Sequence, residues 1–456
     1  MLTHISKKTL FLFVGDALLI IISLFLSSAI MAREILNVFS LYTGASVISL
    51  FFYLFVFYMA DIYNFQGRIN GINFILRLII AIIISNCLIA ATFYVFHKWN
   101  YSRSVFFLSC FLVLFYSVSW RLIFYRLLKV GKMCSEILIR GSDWVSEELN
   151  EVLEKNYDYK LVGLLEEDVK NGEIVSGSSS FVEKSGGLVS LLQEKITEKL
   201  MVPIMAGPYL QFGKKGDDTR FHGVKIYDIP TFYEYITGKI PLSQISDNWL
   251  YYSHFYKKNK HLYNLKIKIV LEKILAVLIL MITLPLIIVS AIAIKLDSRG
   301  SVFFIQARRG EGIKTIKIVK FRTMFQGMEE ERERAGFRND PRITRVGKIL
   351  RFFRIDEIPQ LWNVIKGDMS IIGPRTLMMQ EVSRFSNEIP YFYIRQFVKP
   401  GITGWAQVNY KHGVNIEDAT EKLQYDLYYI KNLSPLLDFH ILLLTLKVVL
   451  LGRGAR

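Results

Sequence analysis

Arg351-Phe-Phe-Arg-Ile-Asp356-Glu357-Ile-Pro359-Gln-Leu, followed closely by Gly367-Asp368-Met-Ser-Ile-Ile-Gly373-Pro374-Arg375, sets two adjacent acids between arginines, downstream of a long apolar run. A carboxylate so placed is competent to attack phosphorus or to hold a divalent cation, and flanking arginines suit phosphate oxygens. The apolar run, Ile274 to Ile294, is preceded by Lys266, Lys268 and Lys273 and followed by Lys295, Arg299, Arg308 and Arg309. Matched positive flanks call for both ends on one side of a membrane. Pro285 near its middle removes a backbone donor and favours a kink. The run is therefore predicted to enter one leaflet, break and return, in preference to the fifth full crossing that its length alone would allow. A full crossing would also put the acid pair outside the cell.

Composition frames this reading. The chain has 456 residues, 52% of them hydrophobic and 14% aromatic, and a mean hydropathy of +0.31. That is too apolar and too long for one soluble domain, so several domains, some in lipid, are expected. A formal charge of +16 calls for anionic partners, and lipid head groups and nucleotide phosphates both qualify. Nucleic acid is not expected, because the basic residues crowd beside apolar runs and no helix-turn-helix or metal-finger spacing occurs. Three cysteines, Cys87, Cys110 and Cys134, form neither a disulfide framework nor a zinc pattern.

Four more apolar stretches, near Leu10 to Met31, Leu41 to Ala60, Asn73 to Phe96 and Ser104 to Trp120, approach the roughly 20 residues that cross a bilayer. The first is too long for a signal-peptide core and lacks a cleavage site. Lys7/Lys8, Arg68 with Arg77, and Arg121/Arg126/Lys129/Lys132 would face the cytoplasm, leaving Arg33, Lys98 and Arg103 outside. Asp16 inside the first span is either functional, or sits near the interface or pairs with another helix. Residues 1–130 are thus predicted to be a four-helix transmembrane bundle, and it is the part expected to carry any homodimer contact.

Residues 131–255 turn soluble. Ser135-Glu-Ile-Leu-Ile-Arg-Gly141 reads as a buried strand, Glu147 to Lys155 as a helix and Tyr159-Lys-Leu-Val-Gly-Leu-Leu as a second strand. The rhythm suggests a degenerate Rossmann-like α/β unit. With only Gly141 where a dinucleotide fold needs three glycines, nicotinamide binding is not expected.

Residues 256–456 carry the chemistry. The apolar proline-containing run is followed in order by Gln306-Ala-Arg308-Arg309-Gly310, Lys320-Phe-Arg322-Thr-Met, the acid motif, the Gly-Pro-Arg motif and Pro400-Gly-Ile-Thr-Gly404-Trp-Ala-Gln407-Val-Asn409. This order resembles the monotopic phosphoglycosyl transferases, bacterial enzymes that move a sugar phosphate from a UDP-sugar onto polyprenyl phosphate. The likeness runs from about Leu265 to the C-terminus, and the layout with four spans and a middle α/β domain is similar to the long exopolysaccharide-initiating branch. The fold implied is a membrane α/β protein whose catalytic domain carries a proline-broken re-entrant helix and interfacial helices. The last apolar run, Phe439 to Leu451, is too short to span and ends in basic residues, so it reads as an interfacial helix or a buried packing helix. Two departures stand out. Leu284 occupies the place of a serine common before the proline, so the bend would rest on Pro285 alone, and Thr376 replaces a second proline after Arg375.

The resemblance implies that Asp356 is the nucleophile, that Glu357 is the ligand of Mg²⁺, and that Arg351 contacts phosphate. It makes Arg375, Arg322, Lys320, Arg308 and Gln306 the residues expected to hold substrate. The reaction implied is ping-pong. Attack on the sugar-bearing phosphorus expels UMP, and undecaprenyl phosphate then takes the phosphosugar from Asp356. It would be the first membrane step of exopolysaccharide, capsule or O-antigen synthesis, at the cytoplasmic face of a bacterial inner membrane, beside anionic lipid. Taken singly, an Asp-Glu pair is usually a solvated helix start and an Arg-rich stretch a solvated face; collinearity is what favours the functional reading. The rivals are an inactive membrane scaffold or regulator of polysaccharide assembly, and a multi-span transferase that holds its acids between transmembrane helices. Nothing in the motifs specifies the sugar.

Overall fold

The computed structural model describes residues 7–31, 35–63, 72–95, 102–129, 135–140, 159–165, 174–175, 204–206, 226–242, 267–327, 340–410 and 415–450. The expected helix 147–155 and His412 lie outside them. Contacts divide the chain into two compact units, Met1–Phe232 and Tyr233–Arg456.

In the first unit, α1 (Lys7–Met31), α2 (Ile35–Met59), α3 (Ile72–Val95) and α4 (Arg103–Lys129) are apolar on nearly every face, as a helix in lipid must be. By length and composition α1, α3 and α4 can each cross a bilayer. Helix α1 packs on both α4 and α2. Asp16 is fully buried and takes a bidentate pair from Arg121 of α4, at 2.6 and 2.8 Å. Asp16 is thus paired with another helix, and Arg121 is its buried partner. The reason is the cost of an uncompensated charge in a low dielectric. Gly15 makes the close approach feasible, since a Cβ there would lie 2.4 Å from the Trp120 ring.

The same unit holds a five-stranded sheet of β1 (Ser135–Arg140), β2 (Tyr159–Leu165), β3 (Ile174–Val175), β4 (Ile204–Ala206) and β5 (Ile226–Asp228), in the order β3-β2-β1-β4-β5. Pairing is parallel except at the β2–β3 edge. Parallel neighbours require crossover connections, consistent with the strand rhythm read along the sequence.

The second unit opens with the end of α5 (Ile229–Thr237). Residues 233–242, assigned from the sequence to the middle domain, pack here. Glu234 accepts from Lys431 and Asn432 at 2.5 and 2.7 Å, the Gly238 carbonyl accepts from the Trp405 indole at 2.9 Å, and Ile240 joins the main core. Helix α6 (Lys268–Asp297) follows. Pro285 lies inside this helix and does not end it, so a bend there is a kink within one continuous helix. Helix formation on both sides is strong enough to carry one missing donor, and the Thr283 hydroxyl bonds the Ile279 carbonyl at 2.7 Å. A hydroxyl-to-backbone bond is therefore present after all, from position 283 and not 284, and such bonds commonly bend helices. Burial on α6 is confined to its ends, with Lys268, Glu272 and Ala276 at one and Ser290 and Ile294 at the other.

Beyond α6 come the antiparallel hairpin β6 (Phe303–Arg309) and β7 (Thr315–Phe321), α7 (Arg345–Phe352), a 3-10 turn (Ile355–Gln360), α8 (Leu361–Lys366) and β8 (Ser370–Ile372). Then follow α9 (Met379–Glu388), a second 3-10 turn (Phe392–Phe397), β9 (Gly401–Thr403), α10 (Trp405–Asn409), α11 (Ile416–Lys431) and α12 (Pro435–Leu450). Alternation along β7 turns Ile316 and Ile318 into a core shared with Leu361, Ile372, Trp405, Leu427 and Ile441. The run read as an interfacial or a buried packing helix, from Phe439 on, is part of α12, where Ile441 is buried and Phe439 exposed.

Candidate active site

The acid pair is placed by a helix stop. Thr344 caps α7 by accepting from the Gly347 amide at 2.9 Å, and Gly347 lets the helix approach the Thr323 backbone, where a Cβ would lie 2.1 Å from the carbonyl oxygen. After Phe352 the chain reaches Arg354 with φ 53° and ψ 24°, the left-handed conformation. That geometry ends the helix at a cost usually borne by glycine, and it starts the 3-10 turn whose first residues are Ile355, Asp356 and Glu357. A non-glycine residue held there, directly before two acids, is the kind of local strain that gathers at functional sites.

Lys320 at the end of β7 bonds Glu357 Oε1 at 2.9 Å, and Arg375 reaches the same oxygen at 3.3 Å. The Arg354 guanidinium lies 3.9 Å from Oε2. Strand β7 is stitched to α8 by the buried Asn363 amide, which accepts from Val319 N at 3.1 Å and donates to the Lys317 carbonyl at 2.7 Å. Arg351 is steadied by the Thr323 hydroxyl at 2.8 Å. Burial alone would raise the Glu357 carboxyl, but the Lys320 and Arg375 charges outweigh it and hold the group well below the usual carboxylate range. Asp356 goes the other way. Burial and then the neighbouring Glu357 charge push it up to about 6, against Lys320, Arg351 and Arg375. Two adjacent carboxylates thus have opposed proton affinities, and four cationic side chains around them leave a positive surplus suited to a diphosphate.

Arg375 is carried by a backbone crossing. Gly373 N donates to Thr403 O and Gly401 N to Pro374 O, both at 2.9 Å. The strands come so close that a Cβ on Gly401 would lie 2.1 Å from Gly373 N, and one on Gly404 2.1 Å from Gly373 O. Arg395 supports the same loop, donating to the Arg375 carbonyl at 3.0 Å and to Asp426 at 2.9 Å. Beside Arg375 opens a shallow depression bordered also by Arg309, Pro374 and Arg395.

Of the residues expected from the sequence, Asp356, Glu357, Arg351, Arg375 and Lys320 come together. Arg322 does not join them. It is 2% exposed, and its terminal nitrogens bond the Ser298 and Arg299 carbonyls at 2.8 and 3.0 Å beyond the end of α6, so its geometry is that of a chain-end anchor. Gln306 and Arg308 bond each other at 2.7 Å, and Arg308 faces Glu381 at 3.6 Å. Arg354, Arg395, Asp426 and Thr323 were not singled out as site residues. Arg354 had a signal in its place two residues before Asp356, and Thr323 in its place inside the Lys320-Phe-Arg322-Thr-Met motif; Arg395 and Asp426 are distant in sequence.

Among the described residues no three His, Cys, Asp or Glu side chains gather into a metal cluster. The donor set nonetheless suits Mg²⁺, which commonly takes one or two carboxylates and draws further oxygens from substrate phosphates. Glu357 is ionised, and its Oε2 is the oxygen not bonded to Lys320 or Arg375.

Comparison with known proteins bears on residues 263–452, which match the family described as bacterial sugar transferase. An uncharacterized sugar transferase of Bacillus subtilis (strain 168), EpsL, is 38% identical over 181 residues, covering 40% of this chain and 85% of that protein. The UDP-N-acetylgalactosamine-undecaprenyl-phosphate N-acetylgalactosaminephosphotransferase of Aeromonas hydrophila is 39% identical over 233 residues, 51% of this chain and 54% of that one. The UDP-glucose:undecaprenyl-phosphate glucose-1-phosphate transferase of Escherichia coli (strain K12) is 40% identical over 174 residues, 38% of each chain. The matched stretch therefore spans about half the length of the Aeromonas protein, and less of the E. coli one.

Proposed function

The chain belongs to the bacterial sugar transferase family, and on that premise we propose that it transfers a sugar 1-phosphate from a UDP-sugar to undecaprenyl phosphate and releases UMP. The observation that carries this reading is the adjacent carboxylates Asp356 and Glu357 set among Lys320, Arg375, Arg354 and Arg351. Asp356, raised to about 6, is ionised at neutral pH yet poorly solvated, and so is a nucleophile that binding of the cationic partners to phosphate would set free. Its oxygen attacks the sugar-bearing phosphorus, the bond to the UMP oxygen breaks, and UMP leaves with that electron pair. A phosphate oxygen of the polyprenyl acceptor then attacks the same phosphorus. The Asp356–phosphorus bond breaks, the carboxylate returns, and no proton need move in either step. Lys320, Arg375 and Arg351 orient the diphosphate and offset its charge. Glu357 would hold Mg²⁺ together with diphosphate oxygens, and the ion would screen charge on the phosphoryl group.

In this reading α6 is re-entrant. Ala276 belongs to the core that includes Ile318, while Ile294 packs in a cluster with Phe321, so both buried ends of the helix adjoin clusters on strand β7. The exposed middle would lie in the cytoplasmic leaflet of the inner membrane, with the acids at its surface. The parallel sheet supports reading the middle segment as a doubly wound α/β unit, and the four N-terminal helices would anchor the chain and bear a homodimer contact. The relatives named above for N-acetylgalactosamine and for glucose make a UDP-sugar panel the means of identifying the donor. The product would begin an exopolysaccharide, capsule or O-antigen chain.

Asp356→Asn tests the proposal. With UDP-sugar alone, the wild type should release UMP and gain the mass of one phosphosugar, and the variant should do neither. Glu357→Gln should slow the same step, with partial rescue by extra Mg²⁺. UMP release by Asp356→Asn at the wild-type rate would replace the covalent route with direct attack by the acceptor. No turnover by the wild type with any donor would leave a scaffold.

A further inference from the structure

The most elaborate polar network in the second unit lies away from the acids, where α6 leaves the core. Glu272, with 11% of its side chain exposed, receives the Ser370 hydroxyl at 2.8 and 2.6 Å to its two oxygens. It also receives the Ile372 amide at 3.2 Å and the Lys268 ammonium at 2.9 Å. Lys268 bonds Asp438 of α12 at 2.7 Å and the Tyr429 hydroxyl of α11 at 3.0 Å. The Tyr429 hydroxyl also lies 2.8 Å from Asp438 Oδ1 and 3.1 Å from the Ile372 carbonyl. Four elements meet in this cluster, and all five side chains are buried.

Packing alone does not require it. Burying two carboxylates and an ammonium is costly even when they are paired, and apolar side chains of similar volume commonly do as well for stability. What the charges provide is direction. Both polar groups that Glu272 takes from β8, the Ser370 hydroxyl and the Ile372 amide, fix the register of that strand against the membrane helix. The next residue, Gly373, enters the crossing with Thr403 and Gly401, and three residues beyond Ile372 stands Arg375, at 3.3 Å from Glu357. The route from Glu272 to that guanidinium is a short stretch of chain held on both sides, with little freedom to absorb a shift.

We propose that Glu272 is a positioning residue for the donor: its carboxylate holds strand Ser370–Ile372 and, through Gly373-Pro374, aims Arg375 at the diphosphate of the UDP-sugar. This rests on the reaction proposed above. Glu272 touches no substrate, and its effect reaches the site only by way of Arg375. The helix that the membrane receives is thereby tied to the grip on the soluble substrate.

Double-mutant cycles separate this from a purely structural role, with UDP as the probe and the full chain in detergent. Glu272→Gln keeps the shape and weakens acceptance from β8; Ser370→Ala removes the hydroxyl and leaves every charge in place. Each should weaken UDP binding about tenfold, equivalent to about 1.4 kcal/mol. In turnover, KM for the donor should follow while kcat stays within about threefold. In an Arg375→Ala background neither change should weaken UDP further. Wild-type affinity in both single variants, or losses that multiply in the Arg375→Ala background, would overturn the proposal. A wild type that does not bind UDP would remove the proposed reaction itself and this inference with it, an outcome distinct from a wild type that binds and turns over while Glu272→Gln behaves identically.

Discussion

Asp356 is held where its ionised form is disfavoured, and that has a measurable thermodynamic signature. Its folded-state affinity for a proton, pushed up to about 6 by burial and by Glu357, exceeds that of an unfolded carboxyl. The folded chain therefore binds more protons than the unfolded one between about pH 4 and 6, and stability falls as pH rises through that window. Asp356→Asn should then be more stable than the wild type at pH 8 in EDTA, by at most about 3 kcal/mol, read as a higher melting temperature, with the gap closing at pH 4. Equal melting temperatures at pH 8 would mean that the carboxylate is solvated better than its surroundings imply. The residues that make this environment were largely legible in the sequence, because Arg351, Asp356, Glu357 and Arg375 lie within 25 positions and their motifs are collinear. Arg322 misled, since a Lys-x-Arg pattern on a strand gives no sign of which cation turns inward. Lys320 lies on β7, whereas Arg322 stands one residue past its end and reaches the Ser298 and Arg299 carbonyls.

At the level of elements, α1 and α4 are joined by the Asp16–Arg121 pair. Losing one partner leaves a buried charge uncompensated, so Arg121→Leu should cost about 3–5 kcal/mol, read as a lower melting temperature in detergent. The double variant Asp16→Leu/Arg121→Leu should recover most of the loss, and a double variant no better than the single would show that the pair contributes no specific coupling. For α6 the testable quantity is topology. Cysteine tags at positions 266 and 295 should both resist an impermeant reagent added outside intact cells, whereas labelling at 295 but not at 266 would establish a full crossing. Lys268 weakens the simple flank argument, because it is paired with Glu272 and Asp438 in a buried network. The matched flanks rest on the remaining basic residues. Hydropathy located this helix correctly, since a run of about twenty mostly apolar residues is a local signal. It could not reveal the Thr283 bond to Ile279 or the burial at the two ends, which depend on what the rest of the chain brings alongside.

Across the whole molecule, the boundary between units falls earlier than composition suggests. A chain beginning near residue 226 keeps Glu234, the Gly238 carbonyl and Ile240 in the second unit, whereas one beginning at Asn259 leaves the buried Trp405 indole without its acceptor. An unsatisfied buried donor costs about 1–3 kcal/mol. The longer chain should therefore melt higher and retain turnover better after detergent extraction, and identical behaviour of the two would show residues 233–242 to be dispensable. Composition missed this segment because ten residues are too few to shift a local average. The same lesson holds in reverse at Gly373, Gly401 and Gly404. They occur in what look like two separate signatures, Gly-Pro-Arg and Pro-Gly-Ile-Thr-Gly, yet in space they are one crossing, where each glycine is the other's wall. The two signatures are therefore a lock and its keeper, unable to change independently. A designer who grafts the arginine loop onto another scaffold must carry the second strand with it, because the loop's shape is stored in its neighbour and not in itself.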